Sequence, residues 1–106
     1  MATGTIRQPD NYSLFAEQSN TLYSGKSILA GASISGSETF TKAGYYPLTI
    51  SGWSATGAYS GNMILGRLYI SDKAAGSVTI TYNFQNGADY DLSSQGFTIR
   101  TLWIKI

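Results

Sequence analysis

The stretch SVTITYNF at residues 77–84 alternates without a break. Val78, Ile80, Tyr82 and Phe84 fall on one side, and Ser77, Thr79, Thr81 and Asn83 on the other. A period of two is the signature of a strand with one packed face and one polar face. Other stretches read the same way with less regularity. Residues 37–41 put Glu38 and Phe40 on one face. Residues 27–34 line up Ile28, Ala30, Ala32 and Ile34, with Gly31 as an expected bulge. Residues 45–52 contribute Tyr46, Leu48 and Ile50, while Pro47 restricts that strand to an edge or a strand start. Residues 63–71 are apolar on both faces, which indicates burial on two sides or a contact between chains.

Turn signals separate these runs: Ser35-Gly36, Ala43-Gly44, Thr56-Gly57, Ser60-Gly61, Ala75-Gly76 and Asn86-Gly87. Short strands punctuated by glycine turns predict an all-β fold, an antiparallel β-sandwich of jelly-roll-like type. The nearest approach to a helix is residues 12–20, where Leu14, Phe15 and Gln18 have roughly helical spacing over a short span. The weak patterning before Gly25 divides the chain into an N-terminal arm or lead-in at residues 1–24 and a β-sandwich head domain at residues 25–106.

Composition narrows the function classes. The chain has 106 residues, and only 12% are charged, about half the usual share. Ser, Thr, Gly, Asn and Tyr supply a neutral polar surface instead. A net charge of +1 with scattered Lys and Arg argues against nucleic acid, whose phosphates are bound by clustered basic groups. No apolar run is long enough for a membrane-spanning helix, so membrane insertion is not expected. The first residues lack a basic region followed by an apolar one, so no signal peptide is read. Cysteine and histidine are both absent, which removes Ser-His-Asp and Cys-His catalysis and the commonest metal ligand. A Ser–Lys pair stays open on composition. Gly25-Lys26-Ser27 matches only the tail of a P-loop and reads as a turn into a strand.

The closest carboxylate pair is Asp89 and Asp91, in NGADYDLSS. Asn86, Asp89 and Asp91 suit three roles: turn chemistry, ligand contact, or oxygen donation to calcium. With so few acid–base options, no catalytic residues and no cofactor or metal are assigned, and the chain is expected not to be an enzyme. The aromatics point to recognition. Trp53 and Tyr59, in SGWSATGAYSGN, and Tyr90, in NGADYD, fall in expected loops among Ser, Gly and Asn. Such loops form adaptable binding surfaces, and an aromatic ring face suits the apolar face of a sugar. The candidate ligand-binding residues are therefore Trp53, Tyr59, Asn62, Asn86, Asp89, Tyr90 and Asp91, with core capping as the alternative role for Trp53.

The last run, GFTIRTLWIKI at residues 96–106, is apolar on both faces. Phe97 and Ile99 share one face, while Leu102, Ile104 and Ile106 lie on the other beside Trp103, so a bulge near Arg100-Thr101 or cover on both faces is required. Exposed apolar strands are a liability. Leu102, Trp103, Ile104 and Ile106 are accordingly the expected oligomer interface.

AGYYPLTISGW at 43–53, LGRLYIS at 65–71, VTITYNFQN at 78–86 and the closing TLWIKI at 101–106 resemble the C-terminal receptor-binding head modules of phage tail-fibre and baseplate proteins. The resemblance covers roughly residues 26–106 and transfers no individual sugar-binding residue. It implies a homotrimeric head that binds a cell-surface glycan. It also implies a place on the virion tail or outside the cell after synthesis in the cytoplasm. The alternative within the same resemblance is a structural module that only trimerises or caps a fibre.

Overall fold

The computed structural model describes residues 14–106. Among them lie six strands: β1 (Phe15–Ile28), β2 (Ser33–Thr41), β3 (Tyr45–Thr56), β4 (Met63–Ala74), β5 (Ser77–Asn86) and β6 (Leu92–Lys105). A single 3-10 turn, Ser60–Asn62, precedes β4. All ladders are antiparallel. They form two three-stranded sheets, ordered β1-β6-β3 and β2-β5-β4. The fold is an all-β sandwich. Its pairing is nested, β1 with β6 and β2 with β5, a jelly-roll style of winding with six strands in place of eight.

The core follows from that order. β5 and β6 are the middle strands, so their inner faces have neighbours on both sides. Val78, Ile80, Tyr82 and Phe84 of β5 pack with Phe97, Ile99 and Trp103 of β6, and with Leu22 and Tyr23 of β1. Burying one such side chain is worth about 1.5–3 kcal/mol. The aromatics interlock, with Phe84 and Phe97 ring centres 4.3 Å apart and Tyr23 in contact with Tyr82, Phe84 and Phe97. Burial, with the neighbouring Tyr82 as the lesser cause, pushes the Tyr23 hydroxyl up to about 12.

A buried polar knot sits beside the apolar cluster. The Trp103 indole donates from Nε1 to Thr101 Oγ1 at 2.7 Å, and Asn20 Nδ2 donates to the same oxygen at 3.0 Å. That hydroxyl in turn donates to the Gln18 carbonyl at 3.4 Å. A buried indole N–H needs such a partner.

The alternation of residues 77–84 is realised as β5, and Pro47 lies on an edge strand. Other expectations are corrected. The described part of residues 12–20 is strand from Phe15 onward, because it pairs with β6 residue for residue from Phe15↔Ile104 to Thr21↔Thr98. The boundary expected between residues 24 and 25 falls inside β1, whose bulged second half carries Gly25 and Lys26. Residues 1–13 of the expected lead-in lie outside the described residues. Residues 27–34 are not one strand: Gly31, with φ +71°, sits in the β1–β2 turn. Ser35-Gly36 is no turn, since Gly36 lies mid-strand opposite Tyr82. A Cβ there would approach the Tyr82 hydroxyl to 2.8 Å, so the glycine makes room for a ring.

β6 shows no phase change between Phe97 and Trp103. Phe97, Ile99, Thr101 and Trp103 all face inward, and Trp103 is 0% exposed. In the pairing of β6 with β3 the extra residues fall on the edge strand, at Pro47/Thr49 and Ile50/Gly52, while its pairing with β1 shifts register at Thr21/Tyr23, Tyr23/Lys26 and Lys26/Ile28. Trp103 is thus a core residue and does not share the outer face of Leu102 and Ile104.

Candidate ligand-binding site

β3 and β4 are the edge strands of opposite sheets, linked by residues 57–62. The flank between them holds two adjoining hollows. The larger, about 590 Å³, is bounded by Leu48, Ile50 and Trp53 of β3 and by Leu65, Leu68, Tyr69 and Lys73 of β4. Lys73 Nζ spans the flank and donates to the Leu48 carbonyl at 2.7 Å. The smaller, about 310 Å³, has Phe84 and Phe97 as its floor, Ala55, Met63 and Leu65 as walls, and Ser60 and Gly61 at its rim. Trp53 and Leu65 line both.

Trp53 pairs with Ile99 and points to the inner side of its sheet. At an edge strand that side is only half covered. One ring face stacks on Phe97 at 5.2 Å and 22°, while the residue stays 51% exposed. It both caps the core and presents a surface.

At the end of the flank, two loops meet. Tyr59 takes a left-handed backbone conformation, φ 59° and ψ 27°, which is uncommon for a bulky residue and marks strain held by its surroundings. Its carbonyl accepts from the Asn62 backbone at 3.0 Å and from Asn62 Nδ2 at 3.1 Å. Asn62 Nδ2 also donates to the Tyr90 hydroxyl at 3.1 Å. The Tyr59 and Tyr90 rings meet edge to face at 5.9 Å, and both are exposed, at 71% and 45%. Gly87 N donates to the Asn62 carbonyl at 2.9 Å and clips the loops together. Beneath them, Gln95 Nε2 donates to Ala58 and Ser93 carbonyls. A Cβ at Gly57, φ +114°, would sit 2.6 Å from that nitrogen, so glycine is needed there.

The expected residues therefore separate into two groups. Tyr59, Asn62 and Tyr90 come together, with Trp53 on the adjoining flank and Asp89 exposed on the loop of Tyr90. Asn86 does not belong with them. It is 0% exposed, and its Nδ2 donates to the carbonyls of Ile28, Leu29 and Tyr90 while its Oδ1 accepts from Ala88 N. The side chain is consumed in tying the β5–β6 loop to the β1–β2 turn. Asp91 Oδ1 is engaged in the same way, accepting from Ala30 N at 2.9 Å. Among the described residues, no group of three or more His, Cys, Asp or Glu side chains gathers around Asp89 and Asp91.

Sequence reasoning missed Ala55, Met63, Leu65, Phe84 and Phe97 as lining residues. The apolar character of both faces of residues 63–71 was the available signal. It arises because β4 borders the open flank on one side of its sheet while Ile64, Leu65 and Tyr69 stay exposed. On the outer face of the other sheet, Ile104 lies between Phe15 and Tyr46, and Leu102 between Glu17 and Thr49. Leu102 and Ile104 are half-buried there, and Ile106 is exposed.

No protein-family model, no curated protein and no solved structure matches the chain.

Proposed function

We propose that the chain is a non-enzymatic recognition head, of the kind that ends phage tail fibres, and that it binds a host-surface glycan at the loop end and along the β3–β4 flank. The observation that carries this reading is the joining of Tyr59, Asn62 and Tyr90 from two loops into one exposed, hydrogen-bonded cluster. Ring faces suit the C–H faces of a sugar. The Tyr90 hydroxyl accepts from Asn62, which leaves its own proton to donate to a sugar oxygen. The Asp89 carboxylate on the same loop accepts from sugar hydroxyls. From Leu48 to Ala55 the β3 edge extends about 23 Å at strand rise, room for several sugar units of an extended chain.

The same reading makes the head a homotrimer, with Tyr46, Leu102, Ile104 and Ile106 on the outer face as the contact. A glycan array on the purified chain tests the binding function. Binding that is lost in Tyr59→Ala and Tyr90→Ala, with the fold intact, supports it. A blank array beside a stable trimer refutes it in favour of a fibre cap.

A further inference from the structure

We infer that the smaller hollow beside Trp53 is a binding pocket for a small, uncharged, apolar group, and that on a glycan ligand this group is an acetyl, methyl or short acyl substituent. The glycan as carrier rests on the function proposed above; the pocket itself rests on its lining.

The side chains that line it are apolar but for one. Phe84 and Phe97 form the floor, Met63 and Leu65 line it from the β4 side and Trp53 and Ala55 from β3; the Ser60 hydroxyl at the rim is the one polar side chain. Away from the Ser60 rim, such a surface offers a sugar hydroxyl little compensation for the water it would leave behind. It offers an apolar group dispersion contacts on several sides. The size is suitable: a carbon-lined cavity of roughly 150 Å³ already holds a benzene ring, and this one measures about 310 Å³. Its position joins it to the recognition cluster. Ser60 and Gly61 at the rim belong to the same 3-10 turn that carries Asn62 and follows Tyr59. A saccharide lying against Tyr59 and Trp53 places its substituents at this opening. The arrangement divides the work, with rings and polar groups outside for the sugar and the hollow for what the sugar bears.

Gly61 provides the means to test this. A Cβ built there meets nothing within 4 Å, so a side chain at this position has space to fold over the opening without straining the turn. The probe is benzyl alcohol, titrated into the full chain while the Met63 methyl resonance is followed by NMR, assigned by its loss in Met63→Leu. The expected result is a saturable shift in the wild type that falls at least about tenfold in apparent affinity in Gly61→Phe, the scale on which apolar pockets discriminate small groups. Ala55→Leu, which fills the hollow from β3, is expected to act in the same direction. A Met63 signal indifferent to benzyl alcohol, or a shift undiminished in both variants, overturns the pocket. The glycan part is read separately on paired saccharides with and without N-acetyl groups. About tenfold preference for the acetylated member, abolished in Gly61→Phe, is expected. Saccharides bound with equal affinity in both forms overturn the assignment of the substituent. Benzyl alcohol binding beside a blank array refutes the glycan function while leaving the pocket in place.

Discussion

Replacing Thr101 by valine keeps the shape of the side chain and removes one hydroxyl. That hydroxyl accepts from the Trp103 indole at 2.7 Å and from Asn20 Nδ2 at 3.0 Å, and both donors belong to buried residues. In the variant the indole N–H has no partner, and Asn20 keeps only a long contact to the Gln18 carbonyl at 3.5 Å. Each buried donor left unsatisfied costs about 1–3 kcal/mol. The methyl group of valine offsets part of this, so the net expected loss is about 2–4 kcal/mol. Urea denaturation of the purified chain reads it as a lowered midpoint at unchanged slope, a shift of roughly 1–3 M for typical small-domain slopes. A cycle with Trp103→Phe isolates the central bond. Once the indole N–H is gone, the same Thr101→Val change is expected to cost about 1–2 kcal/mol less, the coupling usual for residues in contact. A loss under about 0.5 kcal/mol for Thr101→Val, or an additive cycle, would refute the weight given to the Thr101 hydroxyl as the partner of the buried indole.

The remaining expectations follow from the same geometry. Asn86→Ala removes the side chain that ties two turns together, and is expected to destabilise the fold by about 2–4 kcal/mol, seen as a lowered melting temperature; a change within about 0.5 kcal/mol would contradict the assignment. Tyr90→Ala is expected to weaken glycan binding and move stability by no more than about 0.5 kcal/mol, since its ring is exposed. Tyr23 has its folded pKa raised to about 12, above the ordinary value near 10. The folded state therefore resists its ionisation. That contribution is fully present below pH 10 and is lost as pH rises toward 12, a loss that Tyr23→Phe abolishes in alkaline melts. Ile104→Asp places a carboxylate on the proposed trimer contact and is expected to convert trimer to monomer in light scattering. A wild-type chain monomeric at high micromolar concentration would sink the trimer.

How far the sequence could be read depended on where each strand lies. β5 is a middle strand with one face on the core, so its alternation is regular and residues 77–84 declare it. β3 and β4 are edge strands with bulges at Pro47/Thr49, Ile50/Gly52, Leu65/Arg67 and Ile70/Asp72. Each bulge shifts the phase of a period-two pattern, so their faces were harder to assign. β1 was missed because Leu14, Phe15 and Gln18 fit a helical spacing by accident. Its partner lies some 80 residues away, which no local pattern reports. The binding residues divided by the same logic. Tyr59, Asn62 and Tyr90 were legible as loop aromatics and amides, yet nothing local distinguished them from Asn86. The amide of Asn86 is consumed partly in its own loop, at Ala88 and Tyr90, and partly by the turn between β1 and β2 folded back onto it. Trp103 was misplaced with the outer row because Leu102 and Ile104 flank it and the inward Thr101 interrupts the apolar series.

The nested pairing also fixes when the molecule can form. β6 is the middle of its sheet, with β1 and β3 hydrogen-bonded only through it. During synthesis β1 is made first and β6 last of the six, so until β6 emerges the other two strands of that sheet have no partner. The pairing that completes it closes a loop of nearly the whole described chain, the kind of long-range contact that slows folding. Folding is therefore expected to wait for β6 and to be slow. The chain emerging from the ribosome carries open strand edges that invite association with its neighbours.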